Sequence, residues 1–180
     1  AVAAGGEVLL RGICPSDLKV PLEEFQKAGA AVEADEKNRQ IRICMGKRPL
    51  PLLIKTEPYP GFPTDLQSPF MAFLATAQGT SYIEEQVFEG RFATAKILEQ
   101  MGAVIRTEDQ RAVIEGHYPL KGAAVNACDL RGGAALMVAA LAAEGDTFIG
   151  ECHHIERGYE DICRDMAALG AHIRWVGKDS

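Results

Sequence analysis

"KAGAAVEADEKNRQIRI" (residues 27–43) recurs as "QMGAVIRTEDQRAVIEG" (100–116) and, shorter, as "ALGAHIRWVGKDS" (168–180). In each copy a helical stretch runs into a Gly-Ala pair, and the glycine falls where a helix C-terminus favours a residue at positive φ. The residues after the pair read as a strand. In the first two copies a polar turn and a second strand complete a hairpin, whereas the last copy stops partway.

A second correspondence lies upstream of the first. "LATAQGTSYIEEQVFEGRF" (74–92) parallels "LAAEGDTFIGECHHIERGY" (141–159), with Gly79 matching Gly145 and Arg91 matching Arg157 at a spacing of 66. Asp65-Leu66-Gln67 matches Asp129-Leu130-Arg131 less tightly, 64 apart. Each unit therefore reads as strand, helix, strand, loop, helix, strand, plus a closing strand where present. Periods of about 70 exceed those of solenoids and predict a few whole α/β modules packed around shared helices. The unit boundaries fall near 1–46 (partial), 47–117 and 118–180. The first unit opens only at "GGEVLLRGICPSDLK" (5–19), the counterpart of Gly79 onward, so the pattern predicts that the natural chain begins earlier.

The helices agree. Phe70, Met71, Phe73, Leu74 and Ala77 keep helical spacing, and "LRGGAALMVAALAA" (130–143) is apolar nearly all round, as a helix inside a domain would be. In "FPTDLQSPF" (62–70), Pro63 biases Phe62 toward extended backbone, and Thr64 with Gln67 reads as a capping box that starts a helix at Asp65. Pro69 removes a hydrogen bond near the Asp65 carbonyl and loosens that first turn. Strand centres are expected at Val8–Leu10, Leu52–Ile54, Val104–Ile105, Val113–Ile114 and Phe148–Ile149.

Composition narrows the partners. The chain has 180 residues, 47% of them hydrophobic, and a formal charge of −6. It has no Lys/Arg block, which argues against nucleic acid or an anionic membrane and for a small ligand. The most apolar run, Ala134–Ala143, is too short to span a bilayer, and the first residues lack the pattern of a signal peptide, so a cytoplasmic location is expected. Five cysteines without a C-x-x-C pair fit free thiols. Cys152-His153-His154 with Cys163 matches no common zinc spacing, and no metal is expected.

Polar residues at equivalent positions of the repeat are the candidate chemistry. Asp65 and Asp129 stand at helix starts, Arg91 and Arg157 in the following loops, and Arg131 one turn from Asp129. These groups fit either an internal ion pair in each unit or a ligand site. Gly132-Gly133 costs helix stability, about 1 kcal/mol per glycine relative to alanine, and serves either close helix packing or the approach of an anion to free amides beside Arg131. The arginines next to Gly90 and Gly158 can present an uncrowded guanidinium fork to a phosphate or carboxylate.

Together "PGFPTDLQ", "FEGRF", "DLRGGAAL" and "HIERGYE" resemble the UDP-N-acetylglucosamine 1-carboxyvinyltransferases, an enolpyruvyl transferase family, from about Gly5 to the end. The resemblance implies an inside-out α/β barrel, built from βαβαββ units packed around inward-facing helices. It also implies that this chain is one domain of two, of the C-terminal type. The family moves the enolpyruvyl group of phosphoenolpyruvate to the 3-hydroxyl of UDP-N-acetylglucosamine without a cofactor, the first committed step of peptidoglycan biosynthesis. Cell-wall biogenesis, cell shape and cell division are the processes implied.

By motif match, Asp65 corresponds to the base at the reacting hydroxyl, with Thr64 beside it. Val87, through its backbone, and Phe88 correspond to the sugar-nucleotide pocket. Arg157 corresponds to the arginine that clamps phosphoenolpyruvate, and Arg91, Asp129 and Arg131 to its charged surroundings. The family's N-terminal lysine and loop cysteine have no counterpart, so the missing N-terminal half-enzyme is an expected partner and the chain alone is expected to be inactive. Gly90 stands where asparagine is usual. The alternatives are the 3-phosphoshikimate enolpyruvyl transferase, against which "PTDLQ" and "HIERGYE" weigh, and a catalytically silent sugar-nucleotide-binding or scaffold fragment.

Overall fold

A computed structural model of the chain describes residues 1–177, and the three Gly-Ala stops are its recurring punctuation. Gly29, Gly102 and Gly170 have φ of 99°, 86° and 94°. Each is followed by an alanine whose N–H reaches five residues back: Ala30 to the Phe25 carbonyl (2.9 Å), Ala103 to Leu98 (3.2 Å) and Ala171 to Met166 (3.0 Å). This is the Schellman closure, which satisfies orphan helix carbonyls and reverses the chain. The helices so ended are α1 (Lys19–Lys27), α3 (Ala93–Gln100) and α6 (Ile162–Ala168).

Two of these helices feed hairpins. β2 (Ala31–Asp35) pairs antiparallel with β3 (Gln40–Met45), which pairs with β1 (Gly6–Arg11), giving the order β1-β3-β2. In the second unit β4 (Leu53–Lys55) runs parallel to β5 (Thr80–Glu84), and the antiparallel pair β6 (Val104–Glu108) and β7 (Arg111–Glu115) completes the order β4-β5-β7-β6. β5, β7 and β6 repeat the arrangement of β1, β3 and β2.

The third unit begins with a strand in two pieces, β8 (Leu120–Lys121) and β9 (Ala124–Asn126). These lie parallel to β10 (Ala143–Glu144) and β11 (Phe148–Gly150) respectively. A short helix, α5 (His153–Glu156), and α6 come next. The strand expected after Gly170 is absent among the described residues. The reason is topological: β2 and β6 bond only to their closing strands, and the described part of the third copy has no closing strand to ladder with. Ile173 and Trp175 instead pack on the core as irregular chain.

α2 (Gln67–Leu74) and α4 (Leu130–Leu141) pack against each other in the core. Met71, Ala72, Leu74, Ala135, Leu136 and Ala139 are fully buried, as the all-round apolar sequence of both helices requires. Phe70 joins Phe62 and Phe73 edge-to-face at 4.8 and 5.7 Å between ring centroids and meets Phe25 of α1 at 4.7 Å, so the first and second units share one core. Among the described residues no helix is long and apolar enough to cross a membrane.

The capping box does not form. Thr64–Leu66 make a 3-10 turn, and α2 proper starts at Gln67. The Thr64 hydroxyl is engaged by Glu85 and Arg91, and Gln67 turns into the core, where Ser68 Oγ donates to its Oε1 at 2.9 Å. Pro69 lies in the first turn of α2, with the tighter turn ahead of it.

Candidate functional site

Asp65 stands in the 3-10 turn with its side chain more than half exposed and is met from two directions. Arg131, in the first turn of α4, places Nε 2.9 Å from Oδ1 and Nη2 2.9 Å from Oδ2, a two-point fork. Arg91, ahead of α3, brings Nη2 to Oδ1 at 3.2 Å and Nη1 to Thr64 Oγ1 at 2.7 Å. The hydrogen bonds from Arg131, ahead of those from Arg91, hold the Asp65 carboxyl below the usual carboxylate range. The same contacts push the Arg131 guanidinium up. Asp65 is therefore a carboxylate throughout the neutral range, pinned by two cations.

The ion pair expected within each unit is in part a bridge between units, since Arg131 lies 66 residues from Asp65. The two aspartates are also not equivalent. Asp129 is the N-cap of α4, and its Oδ1 accepts from the Gly132 amide at 2.7 Å. Its carbonyl accepts from the Gly133 amide at 2.8 Å, so neither glycine amide is left for an external anion.

The glycine pair serves packing. A Cβ on Gly132 would lie 2.7 Å from Cys128 Sγ, and one on Gly133 would lie 2.5 Å from Ile155 Cγ1. α5 and the loop after it thus press on the start of α4, and a Cβ on Gly158 would likewise lie 2.5 Å from Leu130 Cδ1.

Phe88 lies in the loop after β5, half exposed, with the Arg91 guanidinium 4.8 Å from its ring centroid. Phe88, Arg91, Thr94 and Asp129 border one surface depression of about 400 Å³. Gly90 has φ of 66°, a left-handed conformation open to glycine and tolerated by asparagine. Val87 is exposed next to Phe88, and its N–H is turned inward to Glu85 at 3.0 Å.

Arg157 caps the end of α5 and is exposed. It does not join the Asp65 cluster, and among the described residues its guanidinium makes no hydrogen bond or ion pair. Thr64, Asp65, Arg91 and Arg131 are therefore in direct contact, Phe88 and Asp129 border the same depression, and Arg157 stands apart on α5.

Sequence reasoning missed Glu85, which is fully buried and bonds both Thr64 and the Val87–Phe88 loop. The signal was available. Strand alternation from Ser81 and Ile83 places residue 85 on the inner face, and an acid there needs partners.

The family model described as EPSP synthase (3-phosphoshikimate 1-carboxyvinyltransferase) matches residues 1–166. The chain is 46% identical over 173 residues to the UDP-N-acetylglucosamine 1-carboxyvinyltransferase of Desulfofundulus thermocisternus, covering 96% of this chain and 70% of that protein. The chain belongs to the carboxyvinyltransferase family.

Within this transferase family it is also 46% identical to UDP-N-acetylglucosamine 1-carboxyvinyltransferase 2 of Carboxydothermus hydrogenoformans, over 98% of this chain and 42% of that one. It is 42% identical to the enzyme numbered 3 of Symbiobacterium thermophilum, over 41% of its length. The chain thus spans less than half of two of these three carboxyvinyltransferases. Among solved structures, the enolpyruvyl transferase NikO from Streptomyces tendae superposes with a TM-score of 0.85 at 29% identity, over 96% of this chain and 42% of that one. EPSP synthase from Acinetobacter baumannii shares the fold at a TM-score of 0.71 and 21% identity, over 98% of this chain and 41% of that one. The expected fold, α/β modules around inward helices as in the enolpyruvyl transferases, agrees with these structures.

Proposed function

We propose that this chain is a C-terminal-type domain of a UDP-N-acetylglucosamine 1-carboxyvinyltransferase and forms one wall of a two-domain cleft. The observation that carries the reading is the convergence of Asp65, Thr64, Arg91 and Arg131 beside the Phe88 depression, in a chain 46% identical to proteins of that name. The reaction forms a C–O bond between the sugar 3-hydroxyl and C2 of phosphoenolpyruvate as a base takes the hydroxyl proton and the enol methylene gains a proton to become a methyl; loss of a proton from that methyl then expels phosphate and restores the double bond. It needs a base at the hydroxyl and cations at the phosphate and carboxylate.

In this reading Asp65 faces the reacting hydroxyl, and Arg91 and Arg131 hold the donor's anionic groups. The Val87 backbone and Phe88 receive the sugar nucleotide, and Asp129 orders the start of α4. Arg157, whose guanidinium has no hydrogen bond or ion pair among the described residues, clamps phosphoenolpyruvate when the second domain closes. The proton donor to the methylene comes from that N-terminal half-enzyme, which is the partner the chain requires. The units near 1–46, 47–117 and 118–180 make one domain. The setting is the cytoplasm, at the first committed step of peptidoglycan biosynthesis, with cell shape and division downstream.

The test is phosphate release from phosphoenolpyruvate with UDP-N-acetylglucosamine, using the chain joined to the N-terminal half of a relative. Activity in the joined protein and a loss of about 100-fold or more in Asp65→Asn support the reading. Because the matching family model bears the name EPSP synthase, shikimate 3-phosphate is the competing acceptor. Turnover with shikimate 3-phosphate and none with the sugar nucleotide would replace this assignment.

A further inference from the structure

Glu85 has no exposed surface, yet no cation touches its carboxylate among the described residues. Four donors do. Oε1 accepts from Thr56 Oγ1 (2.8 Å), Val87 N (3.0 Å) and Phe88 N (3.1 Å), and Oε2 accepts from Thr64 Oγ1 (2.9 Å).

The direction of both hydroxyl bonds is fixed by what lies behind them. The Gln86 amide donates to Thr56 Oγ1 at 2.9 Å, and Arg91 Nη1 donates to Thr64 Oγ1 at 2.7 Å, so each hydroxyl sends its own proton to Glu85. The carboxylate is acceptor-only. One side chain thereby holds the end of β4, the turn carrying Thr64 and Asp65, and the loop carrying Val87 and Phe88. Through Thr64 it also orients the Arg91 guanidinium, whose other nitrogen reaches Asp65.

We propose that Glu85 is a positioning residue of this site: it sets the 86–88 loop and the Thr64–Arg91 pair in the geometry that receives the sugar nucleotide. The inference rests on the transferase reading of the site. Glu85 faces the ligand nowhere and acts through four groups, three of which belong to residues placed against substrate. A carboxylate is needed there for a stated reason. In Glu85→Gln the amide nitrogen either faces Thr64 Oγ1, competing with Arg91 and stranding the threonine proton, or faces the three donors at Oε1. Each orientation sets donor against donor in a buried place.

The experiment uses the full-length two-domain enzyme. Glu85→Gln is expected to raise KM for UDP-N-acetylglucosamine by about tenfold or more while kcat moves by less than about threefold, the signature of lost ligand positioning. Thr64→Val is expected to raise the same KM, and the double variant to be no worse than the more impaired single, because both cut one chain of contacts. Unchanged KM, or single effects that multiply in the double variant, overturns the proposal.

Should Glu85→Gln fail to fold, Thr56→Val removes one donor to the same oxygen. It is expected to give a smaller rise in KM, and an unmoved KM there counts against the proposal. If the unsubstituted enzyme releases no phosphate, the transferase reading fails on its own. Glu85 is then judged by amide hydrogen exchange at Val87 and Phe88 with the melting temperature held: faster exchange in the variant supports the positioning role, and unchanged exchange refutes it.

Discussion

Gly133→Ala is the substitution in which packing and function should fail together. The added methyl would lie 2.5 Å from Ile155 Cγ1, 3.1 Å from its Cδ1 and 3.5 Å from Ala127 Cβ. Ile155 is 2% exposed, and the nearer atom is not the free end of the side chain, so it has no open space to rotate into. Relief to ordinary van der Waals contact needs α5 to back away by roughly 1 Å. Overpacking of this kind costs about 1–3 kcal/mol. Alanine's better helix propensity returns about 1 kcal/mol, leaving a net loss of up to about 2 kcal/mol. That corresponds to at most about 4–8 °C in Tm for a chain of this size. The displaced helix ends at Arg157, so KM for phosphoenolpyruvate should rise as well. Thermal denaturation and phosphate-release kinetics on the two-domain enzyme measure the two effects. A variant that melts at or above the parent temperature with unchanged KM would show that the contact is slack and the coupling imaginary.

Other perturbations separate the site from its frame. Arg131→Leu should lower stability by about 0.5–1 kcal/mol at pH 7, since the pair with Asp65 is about half exposed. A carboxyl held below its ordinary value stabilises above about pH 4, and that contribution is lost as pH falls through the folded-state value, so the difference should shrink in urea titrations taken to progressively lower pH. Arg157→Ala should raise KM for phosphoenolpyruvate by about tenfold or more while leaving the melting temperature of the chain unchanged, because among the described residues the guanidinium makes no hydrogen bond or ion pair. Phe70→Ala should cost about 3–5 kcal/mol, with a loss of cooperativity between the first two units detectable by hydrogen exchange, because its ring touches Phe25 as well as Phe62 and Phe73.

Residues alone reveal what is decided locally. A Gly-Ala stop is settled within six residues, so all three copies are legible, and the apolar runs of α2 and α4 declare buried helices. The failures lie where a side chain has a distant rival partner. Thr64 and Gln67 have capping-box spacing, but Glu85, 21 residues on, takes the hydroxyl. The extended segment after Gly170 has strand composition, but a strand needs a neighbour, and composition cannot supply one. Asp65 and Asp129 align in sequence and part in space, one clasped by arginines and the other spent on a cap. The resemblance to enolpyruvyl transferases pointed to the Asp65 cluster, and it could not have named Glu85, whose importance is visible only in what surrounds it.

The Arg131–Asp65 contact joins the second and third modules, and on the proposed reading the ligand's handhold is the same guanidinium. An anion that takes the Nε–Nη2 edge of Arg131 draws it off Asp65, so occupancy of that edge trades internal cohesion for external grip. Freed of its fork, Asp65 also regains proton affinity at the moment a hydroxyl arrives. On that reading, filling the face and freeing its base become a single event, and until then the base stays held.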